Sequence, residues 1–308
     1  MTLHPELQKL CDTIRTSGIR PVHELTVAEA RAGRWAAEAQ LGRGPDVGRV
    51  EDVEIPVRDG VIPGRLFFPA GPVEALLIYY HGGGWVIGHL DINETIARML
   101  AASGPYAVLL VDYRLAPEFP FPTGLEDSWD ASLWASANLS AIVGHQVPLV
   151  LIGDSAGGNF AAILAQRARD SGQIEVAAQV LLYPCVDIDT TTPSYQQCWD
   201  LPIFGGRSMQ WFWDHYVPDP DNRVLPEISP LRATDLGRLA PAIIVTAEYD
   251  PLRDEAEAYA EALRAAGGHV VTHRIEGMCH GFLNMVALLE EPRRTIRTVT
   301  GDLGAILS

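Results

Sequence analysis

Residues 148–158 read Pro148-Leu149-Val150-Leu151-Ile152-Gly153-Asp154-Ser155-Ala156-Gly157-Gly158. A short apolar run ends in a G-x-S-x-G pentapeptide, and a helix-compatible segment follows from Gly158 to Asp170. The pentapeptide alone is common by chance. Its context, strand then sharp turn then helix, is much less so. A serine on such a turn sits in strained backbone, so its neighbours must be small, as Gly153, Ala156 and Gly157 are. The helix start behind Ser155 offers unpaired N–H groups and a positive dipole end. A glycine-rich helix start or a phosphate-binding turn would share the pentapeptide, so the rest of the chain must decide.

Similar short apolar runs flank this one: ALLIYY at 75–80, YAVLLVDY at 106–113, AAQVLLYP at 177–184 and PAIIVTAEYD at 241–250. Continuous runs of this length suit central parallel strands buried on both faces. Helical patterns lie between them, at roughly 122–138, 156–170 and 251–266. VEDVEIPV and VIPGRLFF, separated by Arg58-Asp59-Gly60, read as a strand pair with a tight turn. The alternation predicts an α/β fold with an open, mostly parallel sheet flanked by helices. Ahead of it, Leu3, Leu7, Leu10 and Ile14 share a helical face, and Thr26 with Glu29 forms a capping box for a second helix. LGRGPDVG at 41–48 reads as a linker. The interval from Cys185 to Ala240 is far longer than an ordinary connection and rich in aromatic residues, so it predicts an insert with helices of its own.

The chain has 308 residues, 47% hydrophobic and 20% charged, with a formal net charge of −16. Such a surface disfavours phosphate backbones and anionic lipid, which argues against nucleic-acid or membrane partners. No apolar stretch is long enough to span a bilayer, and the N-terminus lacks a basic then apolar leader. Cys11, Cys185, Cys198 and Cys279 are scattered and form no CxxC pair. Free thiols in a reducing cytoplasm are expected, with no metal site and no cofactor.

Two further clusters bear chemistry. His81-Gly82-Gly83-Gly84-Trp85 follows the run at 75–80 directly. Three glycines let successive N–H groups converge on one spot, which acyl transfer needs because negative charge develops on a carbonyl oxygen. No GK[ST] follows, which excludes a P-loop, and HGGGWVIG lacks the dinucleotide-binding GxGxxG. A nucleophilic serine also needs a base, and the base an orienting acid. Asp250 ends one predicted strand, and His280 follows another, HVVTHRI at 269–275. Both fall at the sheet edge that carries Ser155. Asp254 and Glu255 are rival acids, expected inside the next helix. The other histidines precede the acid or lie at or in a strand. Asp154 is expected to hold neighbouring backbone rather than act in chemistry.

HGGGW, YRLAPE at 113–118, GDSAGG at 153–158, DPLRDE at 250–255 and HGF at 280–282 occur in order. With them the chain resembles a bacterial member of the hormone-sensitive-lipase-like carboxylesterases of the α/β-hydrolase fold, from about residue 50 to the C-terminus. The resemblance implies an eight-stranded sheet whose second strand is antiparallel. It implies a catalytic domain over 49–308 and a helical cap made of 1–48 with an insert at about 187–229. It implies Ser155 as nucleophile, His280 as base and Asp250 as its partner, with Gly83, Gly84 and Ala156 as the oxyanion hole. Arg114 and Glu118 would brace the nearby loop. Trp85, Phe204, Phe212 and Trp213 are candidate substrate-pocket residues, although most rings of the 199–216 cluster should simply pack the cap.

The expected function is cofactor-independent hydrolysis of short- to medium-chain carboxylic esters in the cytoplasm. A serine amidase or peptidase, or a non-catalytic small-molecule binding protein on the same fold, are the rivals. The edge strand 269–275 suggests a homodimer.

Overall fold

The computed structural model describes residues 2–308. Helices α1 (Pro5–Ser17) and α2 (Val27–Leu41) come first. The capping box forms: Thr26 N–H donates to Glu29 Oε2 at 2.8 Å, and Glu29 N–H returns to Thr26 Oγ1 at 3.3 Å. Strands β1 (Arg49–Val57) and β2 (Gly60–Phe68) then pair antiparallel around the predicted turn. Beyond them the chain alternates: β3 (Ala75–Tyr80), α3 (Leu90–Ser103), β4 (Tyr106–Val111), α4 (Thr123–Ala137), α5 (Leu139–Val143), β5 (Leu149–Asp154), α6 (Ala156–Ser171) and β6 (Ala178–Leu182). The long interval holds α7 (Pro193–Cys198) and α8 (Gly206–Tyr216). The chain ends with β7 (Ala242–Tyr249), α9 (Arg253–Ala265), β8 (Val270–Cys279) and α10 (Glu291–Leu307).

All eight strands join one sheet in the order β1-β2-β4-β3-β5-β6-β7-β8. β2 runs antiparallel to both neighbours, and from β4 to β8 every pairing is parallel. Every residue of β3, β4, β5 and β6 is buried, as continuous apolar runs covered on both faces should be. Alternate side chains feed two cores. Leu76, Ile78, Tyr80 and Leu151 pack with Phe160 of α6 and Tyr259 of α9. Leu77, Tyr79, Val150 and Ile152 pack with Ile96 and Leu100 of α3 and with Ile296 and Val299 of α10.

The sequence pattern names neither α3 nor α10. It also ends the last strand at Ile275, whereas β8 continues to Cys279. The extension crosses a register shift against Ala247 and Tyr249, with Gly277 at φ 70°. Those extra residues bring His280 to the C-terminal sheet edge. β8 has a strand on one side only, as expected of an edge.

Candidate active site

Ser155 stands between β5 and α6 with φ 55° and ψ −117°, a conformation that L side chains rarely adopt. The turn holds because Gly153 and Gly157, two residues to either side, have no side chain. A Cβ on Gly153 would lie 2.1 Å from Gly157 O, and one on Gly157 would lie 1.9 Å from Tyr80 O. Ser155 N–H donates to Leu182 O at 2.8 Å, which anchors the strained residue to β6.

His280 reaches across from the β8 end. Its Nε2 lies 2.8 Å from Ser155 Oγ and its Nδ1 lies 2.7 Å from Asp250 Oδ2. The other carboxylate oxygen of Asp250 accepts Leu252 N–H at 2.8 Å, so the acid is held on both sides. Asp250 is fully buried, and only 7% of Ser155 and 6% of His280 are exposed. The rival acids are engaged elsewhere. Asp254 accepts Ser194 N–H at 2.7 Å. Glu255 accepts the N–H groups of Val186 and Asp187, and burial pushes its carboxyl well above the usual carboxylate range. His273, one of the histidines expected in a strand, lies in β8 and bonds Asp302 at 2.6 Å.

The glycine loop lies beside Ser155, and its peptide units from His81 to Gly84 are each pinned. Asp154 Oδ1 accepts Gly82 N–H at 2.6 Å and Tyr79 O–H at 2.7 Å, the backbone-holding part expected for it. Burial raises the Asp154 carboxyl, and these two donors oppose that shift. His81 stacks on Tyr113 with ring centroids 4.3 Å apart, and its Nδ1 lies 2.7 Å from Gly82 O. Burial pushes this imidazole down to about 4, so at neutral pH it is uncharged. A carbonyl can only accept, so the hydrogen-bond network places the single ring proton on Nδ1.

A peptide unit is planar, with C=O and the next N–H pointing opposite ways. Fixing Gly82 O therefore aims Gly83 N–H, and fixing Gly83 O aims Gly84 N–H. Gly83 O is fixed by the N–H groups of Val86 at 3.2 Å and Ile87 at 2.9 Å. Gly84 has φ 59°, and a Cβ there would lie 2.1 Å from the Phe212 ring, so only glycine fits.

YRLAPE does brace this region. Arg114 forks onto buried Asp127, and Ala116 N–H donates to Trp85 O at 2.9 Å. Of the candidate pocket residues, Phe204 stacks on the His280 ring at 4.1 Å, and Phe212 lies against Gly84. Trp85 and Trp213 sit instead in an aromatic pile with Tyr216: Trp85 is 4.6 Å from Trp213 and 4.4 Å from Tyr216 between ring centroids.

Two contacts have no local sequence signal. Tyr183, at φ 38°, approaches His280 to 5.0 Å between rings. Arg31, one of two arginines on α2, bonds to Val86 O at the end of the glycine loop. Among the described residues no group of His, Cys, Asp or Glu could hold a metal ion, and no helix is long and apolar enough to cross a membrane.

Known proteins similar to this chain include several esterases. A model of the α/β hydrolase fold family matches residues 77–284. A carboxylic ester hydrolase (LipN) of Mycobacterium tuberculosis is 40% identical over 93% of this chain and 78% of its own. An ethyl acetate hydrolase of Pseudomonas putida is 35% identical over 94% of this chain and 95% of its own. The solved structure of a hyperthermophilic esterase from the archaeon Pyrobaculum calidifontis superimposes with a TM-score of 0.92 at 35% identity, covering 99% of both chains.

Proposed function

The chain belongs to the hormone-sensitive-lipase-like esterases of the α/β-hydrolase fold, and from that premise we propose that it hydrolyses short- to medium-chain carboxylic esters with Ser155 as nucleophile. The observation that carries the assignment is one imidazole bridging Ser155 Oγ at 2.8 Å and Asp250 at 2.7 Å.

Ser155 Oγ attacks the ester carbonyl as His280 Nε2 takes its proton. Asp250 holds the imidazole tautomer and stabilises the imidazolium. The carbonyl oxygen becomes an oxyanion, which accepts from the N–H groups of Gly83, Gly84 and Ala156. His280 then gives its proton to the departing alcohol. Water, deprotonated by the same histidine, attacks the acyl-enzyme and releases the acid. Residues 1–48 and about 187–229 act as the cap over this edge. Phe204 on His280 and Phe212 on Gly84 support that part of the reading. The four cysteines are free and buried, which supports a reducing cytoplasmic location. The one-sided β8 supports a homodimer.

A fluorophosphonate should label Ser155, located by peptide mass spectrometry. Rates on p-nitrophenyl esters from acetyl to palmitoyl should peak at the short end, because two aromatic rings from α8 and the segment before it close over the base and the glycine loop. Rapid turnover of emulsified long-chain triglyceride would refute the chain-length part. A label on any other residue would refute the nucleophile.

A further inference from the structure

Arg31 lies outside the sheet and its loops, on α2, yet its guanidinium is committed to the far side of the glycine loop. Nε donates to Val86 O at 2.9 Å. Nη2 donates to Ala116 O at 3.0 Å and to Glu118 Oε2 at 2.7 Å, and Nη1 donates to Glu118 Oε1 at 2.8 Å. The planar fork is thus held by a bidentate carboxylate while its remaining edge faces two carbonyls, a geometry that lysine cannot reproduce.

Val86 O is not an arbitrary acceptor. It shares a peptide unit with Ile87 N–H, and that N–H donates to Gly83 O at 2.9 Å. Gly83 O shares the next unit with Gly84 N–H. Two planar units therefore link the Arg31 guanidinium to the Gly84 N–H that faces the reacting carbonyl. A second line of bonds runs from Ala116 N–H to Trp85 O and from Val86 N–H to Gly83 O. It starts at the Leu115–Ala116 peptide unit rather than at the guanidinium, since the Ala116 O that Arg31 binds shares its unit with Pro117, which has no N–H. Both lines converge on the same glycine carbonyl, but only the one through Val86 and Ile87 begins at the cation. Each donor in such a chain polarises the next, and a cation at its head does so most strongly.

We propose that Arg31 is a positioning residue for ester hydrolysis, aiming and polarising the Gly84 N–H through the Val86–Ile87 and Gly83–Gly84 peptide units. Chemistry therefore depends on α2, although no reacting atom lies there. The proposal rests on the assignment of Gly84 as an oxyanion donor. Its consequence differs from simple bracing: losing Arg31 weakens the transition state more than the bound substrate.

The test compares Arg31→Ala, Arg31→Met and Arg31→Lys with the wild type and Ser155→Ala, on p-nitrophenyl acetate and against a trifluoromethyl ketone that forms a hemiketal oxyanion. Loss of a whole oxyanion donor costs about 10²–10³ in kcat, so loosening one should cost roughly 10- to 100-fold. Arg31→Ala should lose that factor in kcat with KM within about twofold, and lose a matching factor in ketone affinity. Arg31→Met keeps the apolar stem and should behave the same, so it carries the measurement if the alanine variant does not fold. Arg31→Lys should recover part of the rate. A folded Arg31→Ala or Arg31→Met with wild-type kcat and ketone affinity overturns the proposal, as does a rise in KM alone. If instead Ser155→Ala retains activity, or the ketone fails to inhibit the wild type, the underlying assignment of the site fails.

Discussion

The sheet edge and the segments that cover it are built by different means. At the edge, Ser155, Asp250 and His280 are delivered by three loops at strand ends, and each polar contact joins backbone-constrained positions at 2.7–2.8 Å. In the cover, α8 and the residues before it meet the edge mainly through rings: Phe204 on His280, and Trp213 and Tyr216 on Trp85. The edge tolerates almost no displacement, because hydrogen bonds weaken steeply with distance and angle. Ring contacts tolerate more, because dispersion is spread over many atoms. Reaction chemistry should therefore be sensitive to single atoms at the edge, and substrate choice should be sensitive to bulk in the cover.

The largest expected effect tests the edge directly. Ser155→Ala should lower kcat by about 10⁶ while circular dichroism stays native, the scale seen when a triad nucleophile is removed. Retention of a hundredth of the activity, roughly four decades above that expectation, would mean another nucleophile. His280→Ala should be nearly as damaging. His273→Ala should keep the rate, since its imidazole is tied to Asp302 on α10, away from Ser155. Equal losses in the two histidine variants would break the assignment.

The next effect is on stability and belongs to the edge as well. His81 is buried beneath the glycine loop with its pKa pushed from 6.5 down to about 4. Between those values the unfolded chain binds more protons than the folded one, so stability falls as pH falls. This one group should remove about 3 kcal/mol between pH 7 and pH 4. Urea unfolding of wild type and His81→Asn at both pH values reads it. The asparagine variant should be less stable at pH 7, and the gap should shrink by that amount at pH 4. A gap that stays constant with pH would show that His81 does not carry the dependence.

The same contrast explains what could be read from the chain. The edge was legible because its motifs are local constraints. The glycines at 153 and 157 are needed by a turn, and HGGG by close backbone approach, so the residues announce themselves. Central strands were legible as continuous apolar runs. α3 was not, although Ile92, Ile96, Met99 and Leu100 recur at helical spacing. Its polar residues Asn93, Glu94, Thr95 and Arg98 are buried as well, Glu94 and Arg98 pairing at 3.0 Å, so residue polarity does not mark which face is covered. Arg31 was invisible for another reason: its acceptors, Val86, Ala116 and Glu118, are far away in sequence. The division of cap from chemistry at residue 48 is crossed by its bonds.

A smaller effect sharpens the cover side. Phe204→Ala removes a ring from His280 without touching the Ser155, His280 or Asp250 bonds. An aromatic pair contributes about 0.5–1.5 kcal/mol beyond its buried area, so the acetyl-ester rate should change by roughly tenfold at most. The acyl-length profile should shift towards longer chains, because space opens beside the base. Loss of phosphonate labelling at Ser155 in a folded Phe204→Ala protein would place Phe204 with the chemistry, and the contrast between the two regions would collapse there.

The smallest effect on rate is expected at the far edge of the sheet. β8 pairs with β7 along one side, and no strand among the described residues pairs with its other side, although Gly277 O accepts His4 N–H at 2.9 Å near its C-terminal end. Thr272, Arg274 and Glu276 are exposed, whereas Val271, His273 and Ile275 are partly covered. An open strand of this length is normally blocked or paired. Antiparallel pairing with a second copy about Val271 would satisfy both strands at once and extend the sheet across a two-fold axis. Sedimentation equilibrium at micromolar concentration should then give twice the protomer mass. In Val271→Lys, the two-fold axis would place like charges opposite each other, which destabilises a strand pair. That variant should sediment as a monomer and hydrolyse esters at the wild-type rate, because Val271 lies at the opposite end of β8 from His280. A monomeric wild type would remove the dimer. A dimeric Val271→Lys would move the interface to another face. A monomeric variant with impaired catalysis would mean that pairing at β8 is felt at His280, extending single-atom sensitivity along the whole strand.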